Sequence, residues 1–237
     1  MLSVLFSFFL VFPLVFYLYC KDIKKSKNNL HLYGIYGFFG LPGKGKTMCM
    51  TKYLNDLRKK YGDKIYIMTN YFYKGQDIEF VSWKQLLLVY DKPLVVAWDE
   101  VQNEFNSRDF KSFPIQLLSV LTQVRKGHGI QILYTAQRYH FVDKNFRSLT
   151  FGCYDCGTFF NRFTFALKYD TVDYEEKVNQ VDFKKRKKIR SNSHFSFIQT
   201  DKLRECYDSF KMLNSAREKQ YMTREEIAII EGGKIDT

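Results

Sequence analysis

The chain has 237 residues, 46% hydrophobic and 26% charged, with only 4 Pro and 13 Gly, a balance that excludes a disordered, collagen-like or disulfide-stapled miniprotein and fits one sizeable domain. Lys and Arg number 37 against 25 Asp and Glu; the net charge of +12 favours an anionic partner such as nucleic acid, nucleotide or lipid headgroup without choosing between them. Five cysteines, odd in number and mostly isolated, argue against a secreted disulfide framework and for a reducing compartment.

Met1 to Cys20 carry no charged side chain, and as a helix this run would extend about 30 Å, the thickness of a bilayer core. Lys21, Lys24, Lys25 and Lys27 follow it rather than precede it, unlike a cleaved signal peptide. The pattern predicts an uncleaved transmembrane anchor over 1–20 and a basic juxtamembrane linker over 21–30, with the following domain cytoplasmic. A buried core helix or a peripheral hydrophobic segment is the alternative reading.

The apolar, glycine-containing run His31–Phe39 leads into Gly40-Leu41-Pro42-Gly43-Lys44-Gly45-Lys46-Thr47, a full match to G-x-x-x-x-G-K-[ST]. Met50, Leu54, Leu57 and Tyr61 then recur at helical spacing and Gly62 can end the helix, so the motif lies between a strand and a helix. Such a loop cradles phosphates: Gly40, Gly43, Lys44 and Gly45 offer backbone N–H groups, Lys46 reaches the β/γ-phosphates of ATP and the Thr47 hydroxyl ligates Mg²⁺. Lys64–Tyr71 reads as a further strand. Leu94-Val95-Val96-Ala97-Trp98 is a buried strand followed by Asp99, a candidate Mg²⁺ group, and Glu100, a candidate base for the attacking water. Pro114, Leu117, Leu118, Leu121 and Val124 mark a helix that Gly127 can cap. Ile130–Thr135 forms the next strand and delivers Gln137, either a γ-phosphate sensor or a plain surface glutamine. The alternation predicts an α/β fold, a P-loop NTPase with a mainly parallel sheet flanked by helices.

GLPGKGKT at Gly40–Thr47, Thr69-Asn70, WDEVQNEFNSR at Trp98–Arg108 and RKGHGIQILYTAQR at Arg125–Arg138, with Asp143 and Arg147 after them, together resemble the zonula occludens toxin-like ATPases of filamentous phages, within the FtsK–HerA superfamily of DNA pumps. A later Tyr207-Asp208-Ser209 is similar to an element near the end of such domains. The resemblance covers roughly Leu32 to Phe210. It implies an ATPase domain over 31–214, a homo-oligomeric ring of the hexameric type, and phage DNA, coat protein and the host inner or cell membrane as partners. It also implies an arginine supplied in trans to the phosphates, with Arg125 first among Arg125, Arg138 and Arg147. Family members place their span after the ATPase domain and continue outside the membrane, whereas this chain has its apolar run first; that difference suggests a host with one membrane or a relative working in genome packaging.

Cys153-Tyr-Asp-Cys156 has metal-like spacing without a second ligand pair, so strand cysteines are expected. Leu149–Tyr154 and Phe159–Val172 read as a hairpin joined near Gly157, with Phe163, Phe165, Leu167 and Tyr169 on one core face. His128 and His140 have no legible partner. The run Lys184–Lys188 with Arg190 suits phosphate, lipid or plain solvent equally, and 215–237 is a polar tail in which Thr223 and Glu226 are spaced as a capping box. Three readings stand: an ATPase driving phage or virus assembly and extrusion, a viral genome-packaging motor, and a nucleic-acid-binding membrane protein with a vestigial nucleotide site.

Overall fold

The computed structural model describes residues 32–105, 113–180 and 189–208. The predicted anchor over 1–20, the linker over 21–30, Arg108, Lys184–Lys188 and the tail over 215–237 lie outside the described residues. Single-pass membrane placement is corrected: among the described residues no helix is long and apolar enough to cross a membrane.

Strands β1 (Gly34–Phe39), β2 (Tyr66–Thr69), β3 (Phe72–Tyr73), β4 (Ile78–Glu79), β5 (Leu94–Trp98), β6 (Ile130–Ala136), β7 (Gly152–Phe159), β8 (Phe163–Asp170), β9 (Ser193–Ile198) and β10 (Tyr207–Asp208) build two sheets. The larger has the order β4-β2-β5-β6-β1-β7-β8-β9, and β3 pairs with β10 apart from it. Pairing is parallel from β4 through to β7 and antiparallel across β7, β8 and β9. The mainly parallel α/β sheet expected from the alternation is present. Its central strands are covered on both faces, which is why β5 is five buried residues without a polar break.

Helix α1 (Lys46–Tyr61) buries Met48, Cys49, Met50, Leu54 and Leu57 and turns most of its lysines outward. It stops at Gly62, whose φ of 54° is left-handed and whose N–H returns to the Arg58 carbonyl. Helix α2 (Ile115–Thr122) starts after Pro114, its N-cap, and buries Leu117 and Leu121. It ends at Gln123 rather than at Gly127, because turns closed by Gln123 N–H to Val120 and Lys126 N–H to Gln123 fill the interval. Helices α3 (Lys144–Ser148), α4 (Thr171–Asn179) and α5 (Asp201–Arg204) complete the described set.

The predicted hairpin is real, but its turn is not at Gly157. Register pairs Phe159 with Phe163, and the turn is made by Phe160 and Asn161, both at positive φ (49° and 54°). Gly157 lies within β7 opposite Phe165, and a Cβ there would meet the Phe165 ring at 2.3 Å, so this glycine makes room for a ring rather than for a turn. The expected core face on β8 is buried only toward its base: Tyr169 is buried, Phe165 and Leu167 half-buried, and Phe163 exposed at the tip.

One aromatic cluster sits beneath the C-terminal ends of β5 and β6. Trp98 meets Phe80 at 4.7 Å and Phe105 at 5.4 Å between ring centroids, and Tyr134 meets Phe146 of α3 at 5.0 Å. Edge-to-face rings of this kind fix the positions of the residues that follow both strands. Phe146→Ala should cost about 3–5 kcal/mol of stability, because a fully buried ring is lost from a site whose neighbours are held by two strands. Urea denaturation monitored by circular dichroism checks this; a loss below about 1 kcal/mol would show that the cluster contributes little to holding the two strands.

Candidate nucleotide site

The loop from Gly40 to Gly45 joins β1 to α1 and is bent by glycines where other residues are strained: φ is 154° at Gly40, 75° at Gly43 and 78° at Gly45. Gly45 has a second constraint, since a Cβ would lie 2.6 Å from the Thr158 hydroxyl of β7. That hydroxyl donates to the Lys44 carbonyl at 3.2 Å and so ties the loop to the neighbouring strand. Lys44 N–H closes a turn on the Leu41 carbonyl. Lys46 and Thr47 begin α1, where unpaired N–H groups and the helix dipole favour anions.

Asp99 follows β5 and meets Thr47 across the site: Thr47 Oγ1 donates to Asp99 Oδ1 at 2.9 Å. Thr135 Oγ1, from β6 on the other wall of the site, donates to the same oxygen at 2.6 Å. The Asn70 amide holds the Asp99 backbone on both sides, accepting from its N–H at 2.7 Å and donating to its carbonyl at 3.0 Å. Burial pushes the Asp99 carboxyl above its ordinary value of 3.8, the Thr135 hydrogen bond opposes this, and the nearby Glu100 adds to it. A dehydrated carboxylate and a threonine hydroxyl in contact form an oxygen pair suited to a hard divalent cation, so these residues fit Mg²⁺.

Glu100 sits at φ 52°, ψ 52°, a left-handed conformation that costs a non-glycine residue about 1–2 kcal/mol. Its N–H donates to Thr135 Oγ1 at 2.8 Å. Its carboxylate lies 3.5 Å from the buried Lys46 ammonium and accepts from the Gln102 amide nitrogen. Lys46, Thr47, Asp99 and Glu100 are thus brought together, in keeping with their spacing. Sequence reasoning missed the role of Thr135, Asn70 and Gln102; Thr135 is visible as the one threonine of a largely apolar strand, and Asn70 only as a strand-ending amide.

Gln137, half-buried just past β6, lines a cleft of about 560 Å³ with Gly40, Lys44, Arg138 and Asp155. Arg138 is exposed there and stacks over Phe141 at 5.9 Å. Arg147 is engaged in packing instead: it donates to the Val142 carbonyl, pairs with Glu175 at 3.8 Å and lies over the Tyr139 ring at 4.8 Å. Arg125 is exposed over Tyr33, which precedes β1, and so lies at the opposite end of that strand from the loop. Cys153 and Cys156 stand three apart on β7 and face opposite sides of the sheet, which prevents them from sharing one metal ion. Tyr207 of β10 packs edge-on against Tyr71 at 6.2 Å, bringing the late Tyr-Asp pair beside the site.

No protein-family model and no curated protein sequence matches the chain. Similar solved structures include the N-terminal domain of zonular occludens toxin from Neisseria meningitidis, at 20% identity and TM-score 0.49, covering 75% of this chain and 100% of that one. They also include the genome packaging NTPase B204 from Sulfolobus turreted icosahedral virus 2 in complex with AMP, at 13% identity and TM-score 0.41, covering 54% of this chain and 77% of that one. B204, the DNA-packaging ATPase from Sulfolobus turreted icosahedral virus, is similar at 14% identity and TM-score 0.39, covering 59% of this chain and 93% of that one. The similar structures thus include a zonular occludens toxin domain, the kind of protein whose motifs this sequence resembles.

Asp99 gives a test with a definite sign. Its carboxyl is raised on folding, so the ionised form costs stability above the raised value and costs nothing below the unfolded value of 3.8. In Mg²⁺-free buffer Asp99→Asn should therefore melt higher than the parent at pH 7, and the gap should close as pH falls toward about 4. Added Mg²⁺ should raise the melting temperature of the parent and leave the variant unmoved.

Proposed function

We propose that the chain is a Mg²⁺-dependent ATPase working in viral or phage assembly, with genome packaging or virion extrusion as its task. The observation that carries this reading is the meeting of Lys46, Thr47, Asp99 and Glu100 at the ends of β1 and β5. Thr47 and Asp99 would hold Mg²⁺, which when bound neutralises negative charge on the phosphate oxygens. The loop N–H groups and Lys46 bind and orient the phosphates at the positive end of α1. As Lys46 turns to the phosphates it gives up Glu100, whose carboxylate is then available to accept a proton from the attacking water. Thr135 keeps the Asp99 carboxylate and the Glu100 backbone in place during this exchange, and Asn70 holds the Asp99 backbone. Gln137, in the cleft wall beside Gly40 and Lys44, is the proposed contact to the γ-phosphate.

An arginine would complete charge stabilisation of the transition state. Arg138 is near enough to the loop to serve its own site, while Arg125, at the far end of β1, could serve only a neighbour's. We assign the role to Arg125 in a homo-oligomeric ring, the hexamer implied by the sequence resemblance, with DNA or coat protein as the substrate moved. The rival reading, a nucleic-acid-binding protein with a vestigial site, is disfavoured by the complete phosphate loop and the intact carboxylate pair.

Glu100→Gln should keep Mg-ATP binding and lose turnover by about 100-fold or more, while Lys46→Ala should weaken binding as well. Steady-state phosphate release with and without single- and double-stranded DNA, alongside equilibrium binding of a fluorescent ATP analogue, reads both. Parent-like turnover in either variant would remove the assigned roles.

Mixing tests the arginine. Arg125→Ala and Glu100→Gln, each slow alone, should recover turnover when combined, because a mixed ring sets an intact Glu100 beside an intact neighbouring arginine. Intact mixed rings without recovery would reject Arg125 as a trans group.

A further inference from the structure

Glu100 is held by more than its strand requires. The short turn Val101–Asn103 follows it, closed by Asn103 N–H to the Glu100 carbonyl at 2.9 Å and anchored by the fully buried Val101. Phe105, at the end of that turn, is packed into the aromatic cluster, so the turn is fixed at both ends. Gln102 projects from it, only 8% exposed, and its amide nitrogen donates to Glu100 Oε2. The orientation of this amide is set by chemistry, since an ionised carboxylate accepts only and the nitrogen is the donor. The amide oxygen is left buried and without a hydrogen-bond partner among the described residues. A packing role would be met by a leucine at this position without leaving a buried acceptor.

The other group on Glu100 is Lys46, 3.5 Å from Oε1. These two partners are not equivalent. In the ATPase reading Lys46, the first residue of α1, turns to the phosphates when nucleotide binds, whereas Gln102 sits on the short turn after β5. After that withdrawal Gln102 is the contact that keeps the carboxylate from rotating about its side-chain bonds. We propose that Gln102 is a positioning residue for Glu100, fixing the carboxylate in the orientation that accepts the water's proton once Lys46 has left it. The inference rests on the ATPase reading and adds a residue to it. The left-handed backbone at Glu100 serves the same end from the main chain, where Thr135 holds the N–H and Asn103 N–H holds the carbonyl.

The test uses the full chain and two near-isosteric substitutions that remove the donor, Gln102→Leu and Gln102→Met. Either should lower kcat by about 10- to 100-fold while KM for Mg-ATP and equilibrium binding of a fluorescent ATP analogue change by less than about twofold. In a Glu100→Gln background the same substitutions should add nothing, because a residue that acts through Glu100 has no further effect once Glu100 cannot accept the proton. Additive losses in the double variants, loss of nucleotide binding, or a melting temperature lowered in both single variants would make Gln102 a packing residue and overturn the proposal. So would parent-like turnover in both single variants. A parent chain that binds ATP but turns it over no faster than Glu100→Gln overturns the ATPase reading itself and takes this proposal with it, a result distinct from all the others.

Discussion

A carboxylate at the end of a fully buried strand has to be held by hydrogen bonds or it will be protonated, and Asp99 is that carboxylate. Three elements converge on this residue: Thr47 from α1 and Thr135 from β6 donate to the carboxylate, and Asn70 at the end of β2 holds the backbone. The Thr135 and Asn70 contacts join neighbouring strands of the sheet, and the Thr47 contact joins α1 to it. Parallel pairing of β2 with β5 and of β5 with β6 sets these residues near one level, since Thr69 pairs with Ala97 and Trp98 with Tyr134. Asn70 comes one residue after Thr69, while Asp99 and Thr135 come one residue after Trp98 and Tyr134. The site is therefore a consequence of register: a slip of one residue in either ladder would turn the hydroxyl or the amide to the wrong face.

Much of this is legible in the order of residues. A strand covered on both faces must be an unbroken apolar run, so Leu94–Trp98 announces both the strand and the position of Asp99 at its end. The phosphate loop is legible because positive φ at three points leaves glycine as the residue without strain. The partners of Asp99 are not. Thr135 lies 36 residues away and Asn70 29, and nothing in a local pattern says which hydroxyl or amide will arrive beside a given carboxylate. Arg147 illustrates the same limit from the other side: its sequence context leaves it free to act, yet Glu175 of α4 and the Tyr139 ring engage it through tertiary packing.

The misplaced hairpin turn has a local cause. A turn with two residues at positive φ ordinarily draws glycine, and the nearest glycine is Gly157. Here Phe160 and Asn161 take that conformation instead, with Arg204 donating to the Asn161 carbonyl and Arg162 N–H to the Phe159 carbonyl. The glycine serves a different need, room for the Phe165 ring across the ladder. Glycine thus has two meanings in a strand-rich segment, and pattern alone does not separate them.

The antiparallel half of the sheet is more than an extension of the parallel half. β7 pairs in parallel with β1 through Phe39 and Asp155, so β7 continues beside the phosphate loop for several residues after β1 has ended. That overhang delivers Thr158 to the Lys44 carbonyl and forbids any side chain at Gly45. Thr158 is itself joined to Thr164 of β8, and Thr164 to Gln199, so the contact to the loop is backed by a chain of polar groups running outward across the sheet. A loop made of glycines is entropically costly to order, and here ordering comes from outside the loop. Thr158 fixes the Lys44 carbonyl from outside the loop, and Lys44 N–H closes on the Leu41 carbonyl within it, so a glycine-rich loop is held in one conformation by contacts that its own side chains do not supply.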